Sequence, residues 1–213
     1  MVKTQLLVVG GGPAGLAAAS TAAALGIEVL VVDEGRHLGG QLVKQTHKFF
    51  GSGEHYAGVR GIDIPNLLCP EENRGKITAL TNTTVLGCYE DGVITALTGE
   101  EKYFKIKADR AIFATGASEK FLSFAGNDLP GVYGAGAVQT LMNQYGVIPG
   151  NRVLMVGAGN IGIIVSYQLL QAGIAVTAVV EAAPNIGGYL VHASKLARAG
   201  VPILTRHTIL EAK

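Results

Sequence analysis

A nine-residue pattern occurs twice in this chain. Leu7-Val8-Val9-Gly10-Gly11-Gly12-Pro13-Ala14-Gly15 returns as Leu154-Met155-Val156-Gly157-Ala158-Gly159-Asn160-Ile161-Gly162. The correspondence runs without a gap through Gly26 and Gly173, then through Val29 to Glu34 and Val176 to Glu181. With one inserted residue it reaches Leu38-Gly39-Gly40-Gln41-Leu42 and Ile186-Gly187-Gly188-Tyr189-Leu190. Each copy reads as strand, glycine turn, helix, strand, acid. The segment between the copies is long and unlike them, which excludes a solenoid. Each copy instead opens its own doubly wound α/β sheet.

In the first copy the apolar run Gln5 to Val9 delivers the chain to Gly10, where a side chain would block a tight turn. Gly12 leaves room for a pyrophosphate to approach the backbone, and Gly15 lets helix and strand pack closely. Pro13 suits a first helical turn, and Ala14 follows it there. The free N–H groups and the dipole of such a helix favour a diphosphate. Alanines at 17, 18, 19, 22, 23 and 24 make the helix slim, and Gly26 closes it. The next strand, Glu28 to Val32, ends in Asp33-Glu34, one of which is expected to accept the hydroxyls of an adenosine ribose. The gapless repeat aligns Glu34 with Glu181 and favours Glu34; counting from Gly10 as in glutathione reductase-like proteins favours Asp33. In the second copy Gly157, Gly159, Asn160, Ile161 and Gly162 repeat the turn, and Glu181 ends the strand. A carboxylate there accepts a free ribose 2′-OH and repels a 2′-phosphate. Ala182, Ala183 and Pro184 follow, with no Arg or Lys, so NADH is expected over NADPH.

Composition removes other classes. Seventeen Lys and Arg against sixteen Asp and Glu give a net charge of +1, with no electrostatic case for nucleic acid or an anionic membrane. The most apolar later stretch, Val153 to Val165, is interrupted by Gly157, Gly159 and Asn160, so a cytoplasmic protein is expected. Cys69 and Cys88 form no C-x-x-C, and no metal-ligand cluster or hydrolytic triad is evident.

Beyond the turns, Val9 to Ala19, Val31-Val32-Asp33-Glu34 and Leu38 to Leu42 resemble the FAD-binding start of thioredoxin reductase-like flavoproteins. Closer still are the FAD-containing alpha subunits of heterotetrameric sarcosine oxidase, dye-linked proline dehydrogenase and hydrogen cyanide synthase. The resemblance implies that Gly40 and Gln41 pass beside the flavin. It also marks Ala114-Thr115-Gly116, at the end of an expected buried strand from Ala111, as a second contact with FAD. Val85 resembles the position whose backbone meets the adenine, and reads equally as a core residue. Neither of the two places where related reductases carry a redox disulfide has one here: Gln41-Leu42-Val43 follows Gly39-Gly40. Lys44, Thr46 and His47 follow on an expected short helix that could approach the flavin, although a solvated helix face is the favoured reading of Lys44 and His47.

The expected architecture is two Rossmann-like nucleotide-binding domains. Residues 1–122 form the FAD-binding part, with a β-meander at about 77–108. Residues 123–213 form an NAD(P)-binding domain, which the resemblance places as an insertion into the FAD-binding part. The resemblance further implies a Gly-Asp return segment, which the residues up to Lys213 do not contain, so the chain is expected to be incomplete at its C-terminus and to associate as a homo-oligomer or within a larger hetero-oligomeric complex. The leading expectation is an FAD-dependent oxidoreductase acting on NADH or a small amine or amino acid, with no catalytic residue assigned. The alternative is a non-catalytic subunit holding FAD and an adenine nucleotide.

Overall fold

The computed structural model describes residues 1–99 and 101–213, and the chain divides into two compact units, Met1–Ala117 and Ser118–Lys213.

In the first unit, β1 (Val2–Val9), α1 (Pro13–Ala24) and β2 (Val29–Val32) form the first copy of the repeat. Two short helices, α2 (Ile64–Leu68) and α3 (Glu71–Arg74), precede β3 (Ile77–Leu80). Then come β4 (Thr83–Cys88), β5 (Val93–Thr98) and β6 (Tyr103–Phe113). The sheet order is β3-β2-β1-β6-β5-β4. β1, β2, β3 and β6 pair in parallel, while β5 is antiparallel to both β4 and β6.

The reason β1 and β2 lack an apolar–polar alternation lies in their two covered faces. Leu6, Val8, Val29 and Val31 pack on Ala19 and Ala22 of α1. Leu7, Val9, Leu30 and Val32 pack on Ile94 and Ala96 of β5 and Ile106 of β6. At about 25 cal/mol per Å² of apolar area, a buried Leu or Val stabilises the sheet by roughly 1.5–3 kcal/mol.

Two expectations change here. The strand expected from Ala111 is the continuation of β6, and it is not buried: Ile112 is 39% exposed and Phe113 55%. The first half of β6 lies between β1 and β5, whereas its last residues pair with β1 alone. The helix expected after Gln41 is a 3-10 turn, Gly40–Lys44, and Thr46 and His47 lie beyond it.

The second unit contains α4 (Ala135–Tyr145), β7 (Arg152–Val156), α5 (Asn160–Gln171), β8 (Ala175–Glu181), α6 (Leu190–Arg198) and β9 (Ile203–Thr205). Its sheet, β7-β8-β9, is parallel. Met155, Ile163, Val165, Leu169, Val179 and Leu196 form its core, joined by Val138 of α4. Two buried amides lie within this unit, with Gln139 Nε2 donating to Gln168 Oε1 at 3.0 Å, which gives each a partner. No helix among the described residues is long and apolar enough to cross a membrane.

Candidate dinucleotide-binding turns

The first turn is built by close approach. Gly10 has φ +99°, and its N–H donates to Val32 O at 2.8 Å. A Cβ on Gly10 would lie 2.4 Å from Ala114 O, because Ala114 N donates to Val9 O at 2.7 Å. Ala114 and Thr115 are thereby brought against the turn, with Gly116 following in the exposed backbone. A Cβ on Gly15 would lie 1.8 Å from Gly10 O, so only glycine lets α1 start there. Gly12 is the N-cap of α1, with no side chain capping the helix and no acid in its first turn. Gly40 packs onto Gly12: its Cβ would meet Gly12 Cα at 2.8 Å. Gln41 leaves that contact exposed to solvent. Pro13 and Ala14 at the helix start are accessible. Around Gly12 itself the nearest atom to a built Cβ is Gly40 Cα at 3.8 Å. The arrangement is an open helix N-terminus with backbone N–H groups and no acid in its first turn, which fits a diphosphate.

The acid is Asp33. Its Oδ2 accepts the Gly11 N–H at 2.6 Å, and its Oδ1 accepts the Gly35 N–H at 2.7 Å. Glu34 is exposed. Asp33 is held from behind, since its N–H donates to Leu80 O and its carbonyl accepts Thr83 N–H, both at 2.9 Å. Val85 lies two residues further along β4, half-buried against the core of β1, β2, β5 and β6.

The second turn repeats this geometry. Gly157 has φ +101° and donates to Val180 O at 2.7 Å. A Cβ on Gly162 would lie 2.1 Å from Gly157 O, while nothing lies within 4 Å of one on Gly159. Glu181 Oε2 accepts the Ala158 N–H at 2.8 Å, and Oε1 accepts the Ala183 N–H at 2.9 Å. These amides, Ala183 first, hold the carboxyl below its ordinary value, against a smaller opposing effect of burial. Asn160 is committed elsewhere: its Oδ1 accepts the Tyr189 N–H at 2.9 Å and so fixes the loop after β8. Ile161 is 50% exposed at the helix start.

The paired strands correct the alignment of the two copies. Val153 pairs with Val176, but Leu154 pairs with Ala178, leaving Thr177 as an extra residue in β8. The first copy has no such extra residue, with Leu6 opposite Val29 and Leu7 opposite Leu30. Asp33, not Glu34, is therefore the counterpart of Glu181. The loop shifts once more: Gly39 N donates to Gly11 O at 2.8 Å, whereas Gly188, not Gly187, donates to Ala158 O at 2.9 Å. Sequence reasoning missed Gly35, whose N–H completes the Asp33 contact; Asp33-Glu34-Gly35 carries the Asx-turn signal that could have found it. It also missed Glu119, whose two carboxylate oxygens accept the Ala135 and Gly136 N–H groups at 2.9 and 3.0 Å. Both cysteines are free thiols, Cys69 buried and Cys88 exposed.

The sequence model of the pyridine nucleotide-disulphide oxidoreductases matches residues 4–213. The chain belongs to this family. It is 36% identical to the alpha subunit of sarcosine oxidase from Rhizobium meliloti (strain 1021), over 86% of this chain and 19% of that one. It is 30% identical to an opine oxidase subunit from Agrobacterium tumefaciens (strain Ach5), over 88% of this chain and 39% of that one. The chain thus spans about a fifth to two-fifths of the length of these relatives. Among solved structures it resembles L-proline dehydrogenase from P. horikoshii, with TM-score 0.69, 27% identity and coverage of 82% of this chain and 35% of that one. Thioredoxin reductase of T. acidophilum shares the fold alone, with TM-score 0.75 and 19% identity, over 100% of this chain and 67% of that one. The two relatives are oxidase subunits, and the two neighbours are a dehydrogenase and a reductase.

Proposed function

We propose that this chain is the two-dinucleotide portion of an FAD-dependent oxidoreductase acting on a small amine or amino acid, with Met1–Ala117 holding FAD and Ser118–Lys213 holding NADH. The observation that carries the reading is the duplicated turn, in which a strand-ending carboxylate accepts an N–H of the glycine loop at 2.6 Å in one copy and 2.8 Å in the other. Each carboxylate oxygen keeps a lone pair for ribose hydroxyls, and each helix N-terminus is uncapped by any side chain.

FAD, when bound, supplies the two-electron redox chemistry. In this assignment Gly10, Gly12, Pro13, Ala14 and Gly15 hold its pyrophosphate and Asp33 its adenosine ribose. Val85 meets the adenine, and Gly40, Gln41, Ala114, Thr115 and Gly116 lie along the flavin side. Gly157, Gly159, Ile161 and Gly162 hold the second pyrophosphate. Asn160 positions the Tyr189 loop, and Glu181 selects a free 2′-OH. The named subunits among the relatives support a hetero-oligomeric assembly.

The test is the visible spectrum of the purified protein under anaerobic conditions, with NADH and then sarcosine added. Bleaching of the flavin band by either supports electron transfer. A flavin band that neither reagent changes supports a binding subunit without catalysis.

A further inference from the structure

Between the 3-10 turn at Gly40–Lys44 and α2 the chain makes an excursion with a closed base. Its two arms pair antiparallel: Ile62 N donates to Gln45 O at 3.1 Å, Gly61 N to His47 O at 3.2 Å and Phe49 N to Val59 O at 2.8 Å. Lys48 and Arg60 face each other across this ribbon. The bonds run from the residues on either side of them, Phe49 to Val59 and Gly61 to His47, so Lys48 and Arg60 form a non-hydrogen-bonded pair. In such a pair the two side chains share one face and stand at their closest.

Both side chains are exposed, and among the described residues neither is within ion-pair distance of a carboxylate. Like charges directly opposite each other destabilise a strand pair. The ribbon is nonetheless firmly built. A Cβ on Gly61 would lie 2.3 Å from Gln45 Cβ, so the arms touch, and the His47 ring stacks on Phe49 at 5.4 Å. Its tip is closed by His55 N to Ser52 O at 3.0 Å and Gly58 N to Phe49 O at 2.8 Å. The acids of the excursion, Glu54 and Asp63, are exposed and bridge neither cation.

We propose that Lys48 and Arg60 form an oxyanion clamp that takes the carboxylate or phosphate group of a small ligand. Two cations on one face of a rigid ribbon match two oxygens of one anionic group, and Arg presents its donors as a planar fork. The bound anion removes the repulsion that the pair otherwise carries. Neither cation belongs to the glycine turn of the first unit.

The test is NMR titration of the ¹⁵N-labelled protein, following the amides of residues 47–49 and 59–61. Inorganic phosphate and sarcosine are the two probes, with dimethylamine as the control lacking a carboxylate. Shifts with phosphate alone assign a phosphate group, shifts with sarcosine alone a carboxylate, and shifts with both a general oxyanion clamp. No shift with either probe, or an equal response to dimethylamine, overturns the proposal. Lys48→Glu should abolish the response and raise Tm, because it replaces a repulsive pair with an attractive one. Lys48→Gln should weaken binding about tenfold, and Lys48→Arg should restore it. A Lys48→Glu protein that lowers Tm and binds as before would show that the pair is structural only.

Discussion

The carboxylate of Asp33 accepts the backbone N–H of Gly11 at 2.6 Å, tying the end of β2 to the turn after β1. A hydrogen bond to a charged acceptor contributes about 1.5–3 kcal/mol. Asp33→Ala should therefore loosen the turn and weaken FAD retention at least about tenfold. Glu34→Ala, at an exposed position, should change retention by less than about twofold. Fluorescence titration of FAD into the two apoproteins decides between the acids. A larger loss in the Glu34 variant would reverse the assignment.

Acid should destabilise the second unit in two steps. Burial, then the charge of Lys195, pushes His192 below its ordinary value of 6.5. The Ala183 and Ala158 amides lower Glu181 from 4.5. Both groups are depressed in the folded state. Each therefore contributes stability that is present above its unfolded pKa and lost as pH falls towards its folded value. The His192 contribution should begin to fade below pH 6.5, and the Glu181 contribution below pH 4.5. Denaturation midpoints measured from pH 7 to pH 3 should show the upper step vanish in His192→Gln and the lower one in Glu181→Gln. A wild-type midpoint that is flat across both windows would contradict this.

Much of this was readable because it is local. The glycine spacing, Pro13 and the alanines define α1, and the structure places that helix at Pro13–Ala24. The acid was harder. Thr177 is extra only in relation to the pairing of β8 with β7, and no residue within β8 announces it. Similarly, β6 reads as two strands because its burial changes where β5 stops pairing, not because the backbone changes. The Lys48–Arg60 ribbon has no apolar period, and its register depends on Gly61 lying against Gln45.

Thr177 offers a sharp test of the alignment. Deleting a strand residue normally flips every later side chain to the other face. Here deletion should leave Leu154 opposite Ala178, Met155 opposite Val179 and Glu181 on Ala158, because Thr177 has no partner in the ladder. The loss is the 3.0 Å bond from Thr177 Oγ1 to Val153 O, worth about 1 kcal/mol. Thermal unfolding and NADH binding of the deletion variant should stay near wild type. Loss of folding would mean that the extra residue sets the register rather than being tolerated by it.

Preference for NADH should rest on Glu181. Replacing it with Ala, together with Ala182→Arg, removes the carboxylate facing the ribose and adds a partner for a 2′-phosphate. The ratio of flavin reduction rates with NADH and NADPH should move towards NADPH by about tenfold or more, the value of one charge-assisted contact. A wild-type protein reduced faster by NADPH would show that Glu181 holds only its own loop.

Gly12 and Gly15 should separate binding from folding. A methyl on Gly15 would lie 1.8 Å from Gly10 O, a rigid backbone atom, so Gly15→Ala must push α1 away from β1. Overpacking of this kind costs about 1–3 kcal/mol, and Tm should fall with it. Gly12 is different. Its φ of −72° suits any residue, and the nearest atom to a methyl there is Gly40 Cα at 3.8 Å. Gly12→Ala should fold with nearly unchanged Tm, yet its methyl occupies the approach to the α1 N-terminus, and FAD retention should fail. The bulkier Gly12→Val should give a colourless protein. A Gly12→Val protein that purifies yellow with stoichiometric FAD would move the pyrophosphate away from this turn.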